Sequence, residues 1–324
     1  MEPPPGPRRR RTPPGRRLAV LDAPSNLGLR PPEDGAVPGA AKLAGALRDQ
    51  RLLERLGAGD AGVVVPPRYR PGWDGRHTRN AEAIARYSAR LADRVGHLLG
   101  GAFPLVLGGD CSVLLGPLLA LRRLEAAGGG RAGLVFLDAH SDFRHPGNSP
   151  AVQAVAGEDL AVACGLADPP LARLDGFGHL VDPADVVLLG VRPDDEHLPE
   201  VRALGALAVP ADELALTGPA PAATRALDRL RGRGVTRFWI HVDADVVDPQ
   251  VLPAVDSPAP GGHGLDDLAA VLAVLAAAPE AAGAQVTVLD PDLDESGQQA
   301  AALAGALVEG LRRVAASPRP RVTA

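Results

Sequence analysis

Two short stretches concentrate the residues that could do chemistry. Asp138-Ala139-His140-Ser141-Asp142 follows the apolar run Gly133 to Leu137, and Asp243-Ala244-Asp245 follows Arg237 to Val242. Each apolar run reads as a buried parallel strand that leaves a sheet at its carboxyl end. If the chain stays extended there, side chains at i, i+2 and i+4 share one face. Asp138, His140 and Asp142 then point into one pocket, with roughly 6.6 Å between successive Cα atoms at a rise of ~3.3 Å per residue. Asp243 and Asp245 share a face in the same way. Carboxylates and an imidazole crowded out of water destabilise one another unless a cation sits among them. Oxygen donors with one nitrogen suit a hard or borderline divalent ion such as Mn²⁺. One acidic strand end also reads as a helix cap or a solvated turn. Two of them, each after an apolar strand, point to a two-metal hydrolytic site whose carboxylates bridge the ions.

Such a site needs strands that end at the same edge of a sheet. Strand-like runs occur at Leu18–Asp22, Gly62–Pro66, Pro104–Gly108, Gly133–Leu137, Val186–Val191, Arg237–Val242 and Gln285–Leu289. Helical patterns lie between them, at Ala40–Leu56, Thr78–Leu99, Val113–Ala127, Pro221–Arg231, Asp266–Ala278 and Ser296–Ala315. This alternation predicts βαβ crossovers and a parallel sheet covered on both faces. Ligands of such sheets bind beyond the carboxyl ends of the strands, where both acidic stretches fall.

The chain has 324 residues, 46% of them hydrophobic, enough for one large α/β domain. Residues 1–16 are rich in Pro and Arg and are expected to be a disordered tail. Residues 17–324 are expected to form a single catalytic domain, because no linker divides them. A net charge of −5 does not argue for nucleic acid or an anionic membrane as partner. No apolar run is long enough to span a bilayer. Arg8 to Arg11 precede no signal-type apolar region. Two cysteines, Cys111 and Cys164, do not make a disulfide framework, so the cytoplasm is the expected compartment.

Three motifs in order, Gly108-Gly-Asp-Cys-Ser112, Asp138-Ala-His-Ser-Asp142 and His241-Val-Asp-Ala-Asp-Val-Val-Asp-Pro249, resemble the ureohydrolase family of arginases, agmatinases and formiminoglutamases. The loop Pro253 to Gly262 is similar to the one that follows that family's second metal strand. The likeness runs from about Leu18 to the end. It implies a three-layer α/β/α sandwich with a central parallel sheet, two Mn²⁺ ions, a small-molecule substrate, and a homo-oligomer, either trimer or hexamer. It also implies hydrolysis of a guanidino or related amidine C–N bond by water activated between the ions. Asp138 and Asp243 would bridge the metals, His140 and Asp245 would serve one ion and Asp142 the other. Asp142 would also orient the attacking water and move its proton.

Three positions depart from the family pattern. Cys111 stands where the family has a metal-binding His. As a ligand, its soft thiolate favours Zn²⁺ or Fe²⁺ over Mn²⁺; as a packing residue, it acts as a small apolar side chain. Val288 stands at the family's guanidinium-holding Glu, for which Asp290, Asp292 or Asp294 is expected to substitute, Asp290 first. Ala156 stands at the family's proton-handling His. Arg144 reads either as a rim residue or as a contact for a substrate carboxylate. Asp248 reads as a turn residue, His145 and His263 as loop histidines, Trp239 and Cys164 as packing residues.

The expected function is therefore metal-dependent hydrolysis of a linear C–N bond, with a substrate outside the arginine and agmatine pair. A deacetylase-like amidohydrolase using one zinc is the other enzymatic reading, against which the paired acidic motifs count. A ureohydrolase-like protein that has lost catalysis and acts as a binding or regulatory subunit is the non-enzymatic alternative.

Overall fold

The computed structural model describes residues 16–75, 77–150 and 153–315. Among them eight strands form one sheet: β1 Arg17–Asp22, β2 Gly59–Val63, β3 Ala102–Leu107, β4 Ala132–Leu137, β5 Val186–Leu189, β6 Leu207–Val209, β7 Arg237–Asp243 and β8 Ala281–Thr287. The helices are α1 Leu43–Asp49, α2 Leu52–Leu56, α3 Ala81–Leu99, α4 Leu115–Ala126, α5 Asp159–Ala163, α6 Leu198–Ala203, α7 Ala211–Thr217, α8 Pro219–Gly232, α9 Leu265–Ala277 and α10 Gln298–Ala315. Every strand pair is parallel, in the order β2-β1-β3-β8-β7-β4-β5-β6. The expected three-layer α/β/α sandwich is the observed architecture.

Period-two alternation divides the core. Leu18, Val20, Val135, Leu137, Ile240 and Val242 pack against α1, α2 and α8–α10 on one side of the sheet. Ala19, Leu21, Leu134, Phe136 and Trp239 pack against α3 and α4 on the other. A strand buried on both faces is predominantly apolar, which is why these runs were legible. The order of strands explains the site. After β3 the chain crosses to β4, leaving room between them that β7 and β8 later fill. The carboxyl ends of β3, β8, β7 and β4 therefore stand side by side at the centre of the sheet, around the point where the order of connection reverses.

The departures from expectation have physical causes. The last strand begins at Ala281, earlier than Gln285, and ends at Thr287. Its small residues are required by bulk across the sheet: a Cβ on Gly283 would overlap the Trp239 ring. Val288 then takes a left-handed φ of +73° and turns the chain out of the sheet. The helix expected over Ala40–Leu56 is broken, with Arg51 at φ +57° between α1 and α2. The second strand is Gly59–Val63, three residues ahead of its expected start. With three residues, β6 is too short to carry a readable pattern.

The tail expected over residues 1–16 lies outside the described residues except for Arg16. That guanidinium donates to the carbonyls of Ala281 and Ala278 and stacks over Phe103.

One glycine ties the sheet's central loops together. Gly109 follows β3 against the loop after β1, where Asp110 N donates to Ser25 O (3.0 Å). Val288 N donates to Gly109 O (2.7 Å), joining β8 to the same knot. A Cβ at Gly109 would collide with the Ser25 carbonyl, a backbone group that cannot rotate away. Gly109→Ala should therefore cost ~1–3 kcal/mol or more. It should lower the denaturant midpoint in equilibrium unfolding; an unchanged midpoint would show that the loop after β1 yields freely.

Candidate metal centre

At three neighbouring strand ends an aspartate folds back on its own chain. Asp110 Oδ1 accepts from Ser112 N (2.8 Å), Asp138 Oδ1 from His140 N (2.7 Å) and Asp243 Oδ1 from Asp245 N (2.8 Å). This turn, closed by an Asp carboxylate on the amide two residues on, ends the strand locally. It replaces the extended segment expected beyond Leu137, and Asp142 has a left-handed φ of +44°. The acidic residues converge because each strand end turns, not because a strand continues. At Asp110 the turn uses the whole carboxylate, since Oδ2 accepts from Ser25 Oγ (2.8 Å).

The other two turns leave oxygens facing each other. Cys111, Asp138, His241 and Asp243 each offer a ligand atom within 4.8 Å of the others, and all four are buried. Asp138, His140 and Asp245 form a second such group that shares Asp138. Cys111 heads the turn that leads into α4, and its thiol donates to Asp243 Oδ2 (2.7 Å). The thiol therefore faces the acidic residues and does not pack away from them. His140 Nδ1 lies 3.1 Å from Asp245 Oδ2 and 3.6 Å from Asp138 Oδ1.

Burial and mutual repulsion set the protonation of this cluster. Asp243 titrates well above the ordinary carboxylate range, first because it is desolvated and then because Asp245 and Asp138 are beside it. Asp142 is raised by burial and by the charges of Asp138 and Asp159. Asp245 is raised too, by burial and then by Asp138. Burial opposes the charge on Asp138, but the His140 imidazole beside it holds it below the usual range. Burial lowers His140, yet Asp138 and Asp245 together push it up to about 10. A divalent cation would relieve the repulsion that protons relieve otherwise. The buried Asp138 Oδ2 receives no hydrogen bond, as expected of an oxygen reserved for a cation or a further donor.

Cys111, His140, Asp243 and Asp245 form the floor of a cavity of about 680 Å³, with Asp138 buried behind them. Arg144, Ala156 and Val288 line its wall, so all three positions that bear on substrate face the same space. Arg192 lines it as well, but its guanidinium is spent on the carbonyls of Gly190, Asp245 and Ala259. Asp142 lines the cavity without joining either ligand group. Its neighbour is Asp159, whose carboxyl is fully buried and raised well above the usual range, first by burial and then by the charge of Asp138. A proton on either carboxyl lets it donate to the other.

Asp290 does not belong to the site, contrary to its expected role as a substrate contact. Its oxygens accept from Gly39 N (3.1 Å) and Asp292 N (2.9 Å), and it lies outside the cavity wall. It closes a turn of the same kind just after β8. Asp248 is a turn residue as expected, accepting from Gln250, Gly261 and Gly262. His145 is held between Glu200 and Gly147 N.

Three residues were missed. His241 lies two positions before Asp243 on β7, so the same period-two rule taken one step back finds it. Asp159 reads in sequence as an acid at a helix start, and nothing there signals its full burial. Gln285 opens the run expected as the last strand, but its role is visible only through its partners across the sheet.

Replacing Asp138 and Asp243 together by Asn keeps a carbonyl oxygen for each turn and removes two charges. Divalent metal content after dialysis should fall to background in this double variant while the far-ultraviolet spectrum stays unchanged. Undiminished metal would place the site elsewhere.

Comparison with known proteins agrees with this geometry. The Arginase family profile matches residues 35–311. Arginase from Bacillus caldovelox is 29% identical over 300 residues, covering 90% of this chain and 97% of that protein. Formimidoylglutamase from Aeromonas hydrophila is 31% identical over 215 residues, 65% of this chain and 63% of that protein. Among solved structures, an arginase from Bacillus subtilis superposes with a TM-score of 0.78 at 24% identity, covering 94% of this chain and all of that one (100%). With a match across most of its length and acidic turns at the strand ends where its motifs predicted them, the chain belongs to the arginase family.

Proposed function

We propose that this protein is a metal-dependent hydrolase of a linear, non-peptide C–N bond of the guanidino or amidine type. The observation that carries the reading is that His140, Asp243 and Asp245 line the floor of one cavity and that the buried Asp138 joins them in two overlapping groups of possible metal ligands. Cys111, Asp138 and Asp243 would hold one ion; Asp138, His140 and Asp245 would hold the other. A pair of divalent ions, when bound, supplies a lowered pKa for water and a Lewis acid toward the substrate. The protein's own part is to place the reacting carbon over the carboxylates and to manage the proton. Asp142, paired with Asp159, can take a proton at its carboxylate and return it to the leaving nitrogen.

Arg144 and Arg30 on the cavity wall support a substrate that carries a carboxylate, and Asp194, Asp195, Glu196 and Asp256 on the same wall support a cationic group elsewhere on it. Val288, at 3% exposure, offers no acceptor to a guanidinium. Leaving such donors unpaired costs ~1–3 kcal/mol or more per group. Arginine and agmatine should therefore not turn over at the ordinary ~1–1000 s⁻¹. Steady-state assays of released urea test this; a rate in that range would show that another side chain takes the place of the family's Glu.

Three substitutions along the wall and floor, Cys111, Ala156 and Val288, support a second reading in which catalysis is lost and the protein binds or regulates. The two readings separate in one experiment. The metal-loaded protein is screened against amidines and guanidino acids for urea, ammonia and formamide. Turnover of any of them supports the hydrolase. Ligand binding without turnover across the panel supports the binding protein.

Membership of the family supports a homo-oligomer, trimer or hexamer. Two free cysteines support a cytoplasmic setting. No helix among the described residues is long and apolar enough to cross a membrane.

Manganese is the family's metal, and Cys111 bears on that choice. If Cys111 gave up its proton to become a ligand, its thiolate would add a soft donor that favours zinc or iron. Cys111→His should raise the Mn:Zn ratio after reconstitution in a mixture of the two ions. Equal ratios in wild type and variant would mean that the carboxylates and His140 alone select the metal.

A further inference from the structure

By distance alone His241 would be a metal ligand, since it shares the first group with Cys111, Asp138 and Asp243. Its hydrogen bonds say otherwise. Trp239 Nε1 lies 2.9 Å from Gln285 Oε1, and Gln285 Nε2 lies 2.8 Å from His241 Nδ1. All three side chains are fully buried, on the same face of adjacent strands. An indole nitrogen is only ever a donor. It therefore fixes the amide, with the oxygen toward Trp239 and the NH₂ toward His241. Reversing the amide would set N–H against N–H with no water to rescue either.

An NH₂ can only donate, so His241 Nδ1 accepts and carries no proton. In a neutral imidazole the proton is then on Nε2. Stacking on Phe136, with ring centroids 4.5 Å apart, holds the ring in this orientation. A histidine that ligates metal donates its other N–H to a carboxylate, carbonyl or water. His241 has the opposite arrangement, because its other nitrogen faces a donor.

The Nε2–H is directed at Asp138. The distance from Nε2 to Oδ2 is 3.8 Å, and both atoms are buried without another hydrogen-bond partner. That is too long for a hydrogen bond, so the relay reaches Asp138 only when the two side chains move closer. Asp138 Oδ1 is already engaged by His140 N. We propose that Trp239, Gln285 and His241 form a relay that locks His241 as the Nε2–H tautomer, making it a positioning residue for the Asp138 carboxylate and not a ligand of the ion. The proposal rests on Asp138 being a metal ligand. It confines the nitrogen donors of the centre to His140.

Long-range ¹H–¹⁵N correlation of labelled protein distinguishes the two tautomers, and the His241 signals are assigned by their loss in His241→Phe. Wild type should show His241 as the Nε2–H form both without metal and after saturation with Zn²⁺. An Nδ1–H form, or a metal-bound shift at Nε2 on adding zinc, would overturn the proposal. Gln285→Glu supplies a carboxylate that accepts from both neighbours and should convert His241 to the Nδ1–H form. Persistence of Nε2–H in that variant would also overturn it. Should Gln285→Glu not fold, Trp239→Phe removes the fixed donor, and a mixture of tautomers is then expected. In calorimetric titration, His241→Phe should bind Zn²⁺ about 10–100-fold more weakly; unchanged affinity would remove the positioning role. Absence of zinc binding by wild type would instead refute the metal centre, whatever the tautomer.

Discussion

Repulsion among buried carboxyl groups is the constraint on which the rest of this structure depends. Asp138, Asp142, Asp243 and Asp245 are withdrawn from water around one point, and Asp159 stands behind them. At an effective dielectric constant of ~20, two unit charges ~4 Å apart repel by about 4 kcal/mol. Several such pairs together would exceed the whole stability of an ordinary domain, ~5–15 kcal/mol. The fold can hold this cluster only with protons or cations among the carboxylates. The raised pKa values of Asp142, Asp243 and Asp245 are the proton solution, and the shared ligand groups prepare the cation solution.

The scaffold meets that constraint with one repeated device. At the ends of β3, β4 and β7 an Asp carboxylate closes a turn on the amide two residues on. The amide fixes one oxygen without a counter-charge, and at β4 and β7 the other oxygen is left for the centre. The same device at Asp290 turns the chain after β8 without contributing to the site. What separates the two uses is position in the sheet. Asp290 follows Val288, whose left-handed φ carries the chain outward, toward Gly39. The Gly109 knot holds β3 and β8 in register while this happens.

Around the floor, side chains of ordinary type acquire roles from their neighbours. Trp239, taken in sequence for packing, is also a hydrogen-bond donor whose direction fixes the Gln285 amide. Cys111 is neither remote nor inert, since its thiol touches Asp243. Arg192 would pass for a substrate-binding cation on the cavity wall, but backbone carbonyls occupy its donors, and Arg144 is left for that part.

Much of this was written in the chain itself. Gly133–Leu137 is apolar at every position, and Arg237–Val242 at all but Arg237 and His241, because parallel strands are covered on both faces, so the existence of these strands is a local property. Acidic residues directly after such runs mark the carboxyl edge of the sheet, and Asp138, His140, Asp243 and Asp245 were legible for that reason. The small-residue start of β8 was not legible, because Ala and Gly are chosen there by the bulk of Trp239 on the adjacent strand. Nor was the exclusion of Asp290, which depends on a contact with Gly39 about 250 residues away. Residue type and spacing thus determined which groups could meet at a strand end. Only tertiary structure decided which of their atoms remained free, because that depends on donors supplied by neighbouring strands and distant loops.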